Sequence, residues 1–276
     1  MGTTLGLTRL CMLAAAFAAV TVNAPAAAAD PQWPPAGVSF HGASKAPDIS
    51  GLWLGSATAI PGQKTPVGNR GTADGRPPTF WAPWPLPYKP AYQAIFDERA
   101  EAAKKGRQLG DISARCLPFG MPWALTSKFY PDEIIQTPGQ VTIFVNNTFP
   151  IVIWTDGRGH PKNLAPSYNG HSVGHWAGDT LVVDTVGILA STPLDTNRDP
   201  HSGQLNVKWT IRRVAQDVLH LHITLHDQDA FAEPVVTTNI WHRKTDPKWQ
   251  VLDDASCFEN NREASEGEDH SGFKKF

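Results

Sequence analysis

Gly170-His171-Ser172-Val173-Gly174-His175-Trp176-Ala177-Gly178-Asp179-Thr180-Leu181-Val182-Val183-Asp184-Thr185-Val186-Gly187 is the stretch that decides the fold class. Two runs of β-forming residues flank Ala177-Gly178-Asp179, a pattern that reads as a hairpin. The pattern recurs toward the C-terminus in Leu205 to Val214, Val218 to Asp227 and Val235 to Lys244, with Gln216-Asp217 as a further turn. Toward the N-terminus it recurs in Glu133 to Gln136, Val141 to Asn146 and Ile151 to Thr155, followed by the turn Asp156-Gly157. Short runs at this spacing, with no helical pattern between them, predict an antiparallel barrel or sandwich rather than a parallel α/β sheet. Alternation is cleanest in Val218 to Asp227. Leu219, Leu221, Ile223 and Leu225 occupy one face, and His220, His222, Thr224 and His226 the other.

The N-terminal third reads differently. Residues 30–90 are rich in Pro, Gly and Trp, as in Trp33-Pro34-Pro35 and Phe80-Trp81-Ala82-Pro83-Trp84-Pro85. Proline removes backbone donors and fixes φ, so an extended wrapping segment is expected there. Within it Asp48 to Trp53 is the expected first strand. Pro90 to Arg107 is the expected helix: Pro90 suits a first turn, Tyr92, Ile95, Phe96, Arg99 and Ala103 recur at helical spacing, and Gly106 or Gly110 ends it. Residues 1–29 carry Arg9, an apolar run from Cys11 to Val22, and Ala26 to Ala29, the pattern of a secretory signal peptide. That run is shorter than the roughly 20 residues of a membrane-spanning helix. The expectation is a periplasmic or secreted protein with one barrel domain over 30–276. It divides into a Pro/Trp-rich segment (30–131), the strands (132–262) and a loose tail (263–276).

Charge and cysteines narrow the partners. A net charge of −2 over 276 residues, with no long basic block, argues against nucleic acid, and no later segment is apolar enough to span a membrane. Beyond the leader only Cys116 and Cys257 remain, and in an oxidising compartment an isolated pair is most simply a disulfide. A catalytic thiol and metal ligation are the competing readings, although no CxxC spacing is present.

The densest polar constellation runs from Trp154 to His175 and holds Asp156, Arg158, His160, Tyr168 and His171, with Asp184 and His201 downstream. Histidine titrates near neutrality, and a neighbouring carboxylate fixes its tautomer, which is what proton transfer needs. A plain alternative is a long turn over Asp156 to Pro161, with Asp156 capping its own backbone. On one strand His171 and His175 share a face about 13 Å apart, too far to hold one ion unless Gly174 kinks the strand. His220 and His222 are neighbours on a face and could bridge a divalent ion, or simply form a wet surface. Gly170-His171-Ser172-Val173-Gly174 has the G-x-S-x-G spacing, but a turn and a strand follow where a nucleophile elbow needs a helix. Ten Trp and twelve Phe suit either a flat hydrophobic ligand or a plugged barrel end.

Asp111 to Met121, Ile134 to Gly139, Thr155 to Arg158, Gly170 to Gly187, Pro200-His201-Ser202 and Cys257 to Asn261 together resemble a family of exported, largely uncharacterised proteins of proteobacteria and acidobacteria. The resemblance runs from about Asp48 to Asn261 and implies no particular activity, but its motifs include Asp156, Arg158, His171, Asp184 and His201. It departs at His220, His222 and His226, where acidic residues are the family's pattern. Gly51-Leu52-Trp53 is similar to the G-x-W signature of lipocalin-like barrels and implies a calycin-like barrel.

These readings combine into an all-β protein with one or two helices and a calycin/lipocalin-like barrel. The expected function is acid/base chemistry on a small hydrophobic molecule, aromatic or terpenoid, by isomerisation, elimination, hydration or hydrolysis, without a cofactor. His171 or His175 is the expected acid or base, Asp156 its orienting partner, and Arg158 with His201 the binders of developing negative charge. His160, Tyr168, Trp154, Trp176 and Asp184 are the expected substrate contacts, and no metal site is assigned. No Gly-rich phosphate loop or dinucleotide fingerprint is present. A non-catalytic carrier of a hydrophobic ligand and a structural envelope protein are the rival readings.

Overall fold

The computed structural model describes residues 46–56, 86–107, 109–110, 112, 117–126, 130–145, 148–195, 198–246 and 248–249. All of them belong to one compact unit of the chain, Pro34–Phe276. The leader, Cys116, Cys257, most of the Pro/Trp-rich segment and the tail lie outside the described residues.

Nine strands close into a barrel in which each pairs with its neighbours in sequence. They are β1 (Gly51–Ser56), β2 (Asp132–Thr137), β3 (Gln140–Phe144), β4 (Ile151–Trp154), β5 (His171–Ala177), β6 (Thr180–Val186), β7 (Asn206–Ala215), β8 (Val218–His226) and β9 (Val235–Arg243). The expected all-β, calycin-like class holds, and each of the eight runs from residue 132 onward forms a strand. The first strand begins and ends later than Asp48 to Trp53. The two helices are α1 (Pro90–Lys104), which stops ahead of Gly106 at φ +76°, and the single turn α2 (Trp123–Thr126), which the sequence did not announce.

The expectation of a wholly antiparallel sheet needs one correction. An antiparallel joint reverses strand direction, so a closed ring must contain an even number of such joints; with nine strands at least one joint is parallel. That joint is β4–β5, which pairs Ile153 with Ser172 and Trp154 with Val173, while the other joints are antiparallel. A parallel joint needs a crossover of a dozen or more residues, and residues 155–170 supply it. The crossover is pinned at its far end. Tyr168 carbonyl accepts from Met121 N–H, Ser167 N–H donates to Gly187 carbonyl, and Leu189 N–H donates to Ser167 carbonyl.

Period-two alternation sorts the strands into an apolar interior and a mixed exterior. Leu219, Leu221, Ile223 and Leu225 of β8 are fully enclosed, facing Val207, Trp209 and Ile211 of β7 and Trp241 of β9. Each such aliphatic side chain contributes about 1.5–3 kcal/mol by leaving water. Interior polar groups pair locally: the Ser172 and Thr185 hydroxyls lie 2.8 Å apart, and Trp209 Nε1–H donates to Thr185 Oγ1 at 3.0 Å. Asp132 is wholly enclosed, and burial pushes its carboxyl well above the usual carboxylate range.

Closure joins β1 to β9. Trp53 is fully buried, Arg243 stacks over it at 4.5 Å, and Arg243 Nη2 donates to Ser50 carbonyl at 3.0 Å. Gly51, at φ +131°, lies under that guanidinium, where a Cβ would come within 2.6 Å of Nη1.

Gly170 delivers the crossover into β5 at φ +64°, with its α-carbon so close to the β6 exit that a Cβ would lie 2.5 Å from Val186 carbonyl. Gly157, also at positive φ, has nothing within 4 Å of the same position. Gly157→Ala is therefore expected to cost only backbone strain, about 1–2 kcal/mol. Gly170→Ala should cost about 1–3 kcal/mol more because the neighbouring backbone must also move. Urea unfolding midpoints of the two variants measure the difference; equal midpoints would contradict the close approach at the seam.

Candidate functional site

The parallel joint leaves a cavity of about 280 Å³. β4 and the residues before it supply Phe149, Pro150, Val152 and Trp154, and the end of the crossover with the start of β5 supplies Ser167 to Ser172. Alternation explains the wall: Ile151 and Ile153 point into the barrel, so Val152 and Trp154 point out. No ionisable acid or base other than His171 lines it, apart from the Tyr168 phenol. Phe149 is 61% exposed, and its ring lies 6.3 Å from that of Tyr168.

On the outer face of β5, His171 meets His160 of the crossover with the two Nδ1 atoms 2.9 Å apart. The rings meet edge to face, with centroids 5.1 Å apart. The other nitrogen of His160, Nε2, lies 3.7 Å from Asp184 Oδ2. Asp184 reaches this spot because β6 pairs it with Val173, on the outward face that also carries His171. Its second oxygen accepts from Asn206 Nδ2 at 2.6 Å, which fixes the carboxylate. Asp184, His160 and His171 thus form a chain of close approach toward the cavity; its His160–His171 step is at hydrogen-bond distance, while the 3.7 Å step to Asp184 is longer than a hydrogen bond and leaves the buried His160 Nε2 without a hydrogen-bond partner among the described residues.

Electrostatics assign the ends of that chain. Partial burial, then the neighbouring His160 and Arg158, hold the His171 imidazole below the ordinary imidazole range, so it is neutral at neutral pH. With the Asp184 carboxylate facing Nε2 of His160, the tautomer carrying hydrogen there is favoured. Nδ1 of His160 then accepts from Nδ1–H of His171, leaving the His171 Nε2 lone pair free. A free imidazole lone pair beside an aromatic pocket has the chemistry to accept a proton.

Asp156 is placed differently from its expected role. It binds Arg158 Nε through both oxygens at 2.9 Å and caps Arg158 N–H at 3.2 Å, so it orients an arginine and no histidine. Arg158 holds its carboxyl below the usual range. The arginine lies with Cζ 3.8 Å from the centre of the Trp154 ring, one layer outside the cavity. The local geometry is that of the turn reading, with the Asp156 carboxylate accepting from a backbone N–H two residues on, and neither Asp156 nor Arg158 lines the cavity. Asp184, expected as a substrate contact, instead stands behind His160.

Four further residues stand differently from a site role. His201 does not line the cavity: it is enclosed at 3% exposure, Nε2 lies 3.0 Å from Thr192 Oγ1, and Nδ1 donates to Ser202 carbonyl at 2.8 Å. Burial lowers its pKa, as expected of a neutral structural imidazole. His175 is exposed, four residues along β5 from His171. Trp176 packs against the core cluster instead of the cavity. Ser172 is 2% exposed and bonded to Thr185, which removes the nucleophile-elbow reading.

Phe149, Asn169 and Asn206 were missed. Asn169 is buried and donates to Phe149 carbonyl, tying the crossover to the start of β4. Asn206 was legible only through the pairing of β6 with β7, which a single strand's pattern does not reveal.

No family model, curated protein or solved structure matches the chain. Among the described residues no group of three or more His, Cys, Asp and Glu side chains is arranged to hold a metal ion. Among them, too, no helix is long and apolar enough to cross a membrane.

His171 and His201 both titrate lower in the folded chain than in the unfolded one. In the window between those depressed values and the ordinary value near 6.5, the unfolded chain holds more protons. Their contribution to stability is therefore complete above that window and lost as pH falls through it. Asp132, with its raised pKa, acts in the opposite sense, so a paired comparison isolates the histidine. From about pH 7.5 to about pH 5.5 the urea midpoint of the wild type is expected to fall more steeply than that of His201→Asn. Parallel profiles would count against a neutral buried His201.

Proposed function

We propose that this chain is an exported acid/base enzyme that moves a proton on a small hydrophobic molecule bound in the seam between β4 and β5. The observation that carries the proposal is the 2.9 Å contact between His160 and His171, backed by Asp184 at one end and opening on an aromatic pocket at the other. The reaction classes that fit are isomerisation, elimination, hydration and hydrolysis. Each needs a group that accepts a proton and later returns it. The apolar run and alanine-rich end of residues 1–29 support export.

The geometry supports the following roles. His171 Nε2 accepts the substrate proton, and its Nδ1 hydrogen passes to His160 Nδ1. The resulting imidazolium then lies beside Asp184. Moving the charge from His171 to His160 carries it away from the apolar pocket and toward a carboxylate, which lowers its cost. Trp154, Tyr168 and Phe149 supply flat surface, and Arg158 fixes Trp154 from outside.

A second reading, a carrier that binds a hydrophobic molecule without turnover, is favoured by the aromatic lining and by Phe149 at the surface. Purified wild-type protein and His171→Gln, screened for the four reaction classes on small aromatic and terpenoid molecules, separate the two. For an enzyme, kcat should fall by about 10²–10⁴ in His171→Gln, the usual contribution of a general base. Recovery of a bound molecule unchanged from both proteins would establish the carrier instead.

A further inference from the structure

We propose that the ligand of the β4–β5 cavity is an uncharged, planar aromatic molecule bearing one weakly acidic hydroxyl, a phenol or the equivalent enol, whose proton His171 accepts. This rests on the acid/base reading above and names its substrate class.

The lining decides by elimination. No arginine, lysine, aspartate or glutamate lines the cavity. The nearest guanidinium, Arg158, is already bound to Asp156 and lies beyond Trp154. A carboxylate or phosphate ester enters already charged and would lose its hydration without gaining a counter-ion, an uncompensated cost of several kcal/mol per charge, whereas a hydroxyl acid enters neutral and leaves its proton on the histidine pair as the counter-ion of its own anion. A cationic amine fares no better, because Asp156 is held by Arg158 and Asp184 is turned toward Asn206 and His160. A sugar needs many polar partners, yet the Asn169 amide is committed to Phe149 carbonyl and the Ser172 hydroxyl to Thr185. The Ser167 hydroxyl donates to Gly170 carbonyl, so what the pocket offers is flat aromatic surface from Phe149, Trp154 and Tyr168, the one Tyr168 hydroxyl, and one base.

Two features favour the hydroxyl acid over a plain hydrocarbon. The base is neutral and ends a proton chain, so it has use for a ligand that gives up a proton. The cation on Trp154 also favours electron-rich partners against that ring, and a phenolate is richer than its phenol. The step balances without any further reactant. The ligand's O–H bond breaks, the electron pair stays on oxygen, and an N–H bond forms at His171 Nε2. The Nδ1 hydrogen of His171 passes to His160, and the reverse sequence restores the starting state.

The test uses purified protein with 4-nitrophenol, whose yellow anion reports proton loss directly, and with 4-nitroanisole, its methyl ether, which has no proton to give. The expected result is binding of 4-nitrophenol with appearance of the anion at a pH where the free compound is mostly colourless. The ether should bind about tenfold more weakly, the loss of one buried hydrogen bond to a charged group. His171→Gln should abolish the colour and weaken 4-nitrophenol binding by a similar factor. Equal binding of the two compounds, or binding of 4-nitrophenol without its anion, would overturn the hydroxyl-acid class and leave the pocket standing. Failure of both to bind while His171-dependent turnover of other molecules persists would overturn the class alone. Failure of both to bind, with turnover unaffected in His171→Gln, would remove the site as well. The two compounds on the wild type decide the class even if His171→Gln does not fold.

Discussion

Parity governs this barrel. Nine sequential strands cannot close into a ring through antiparallel joints alone, and the one parallel joint forces the chain to travel back along the outside before β5 begins. Everything in the candidate site follows from that return path. The crossover carries His160 and Tyr168 to β5, the joint itself pairs only two residue couples, and the space beside it becomes the pocket. An even-stranded meander would have no reason to place a long loop there. The polar chemistry therefore sits on the outside of the wall, while the interior is given to packing.

That division lets the packed interior position the candidate site on the outer wall. Interior residues such as Leu221, Ile223 and Trp209 hold β6, β7 and β8 in register, and the register sets the outward row on which Asp184 faces Val173. A side chain on a strand of this kind is located to a fraction of an ångström by packing it never touches. His160 lies on the crossover, where Asp184 and His171 flank it on either side. The site thus rests on three paired strands, β4, β5 and β6, and one tethered loop.

Much of this was legible in the sequence. Alternation located the eight β runs from residue 132 onward, because a half-buried strand must separate its apolar and polar side chains with period two. The constellation from Trp154 to His175 was also visible as a concentration of titratable groups in one short stretch, although His175 at its end is exposed and away from the cavity lining. What was hidden depends on pairing between distant segments. Nothing in Ile151 to Trp154 says that its neighbour on one side runs parallel, since a four-residue strand looks the same either way. Asp156 looked like the natural partner of a histidine because it is close in sequence. Two residues onward, however, Arg158 offers a fork that a carboxylate binds more favourably than a lone imidazole. The carboxylate that does face a histidine, Asp184 at 3.7 Å from His160 Nε2, came from the strand after β5. His201 entered the expected site through the motif Pro200-His201-Ser202 of the resemblance, although a buried imidazole bonded to a hydroxyl and a carbonyl is a packing element.

The stack of Arg243 on Trp53 bears on the order of events as the polypeptide assembles. Ser50 and Arg243 are separated by 193 positions, and their bond belongs to the joint that turns an open sheet into a ring. Most of the other joints link near neighbours and nucleate locally, whereas this one bears the largest loop-closure entropy. A chain emerging from a narrow channel, amino end first, must hold β1 without its last partner until nearly every other strand has been released. Until then two sheet edges stand bare, and aggregation is the hazard of that interval. The glycine beneath the guanidinium lets the final strand settle over its tryptophan once it arrives.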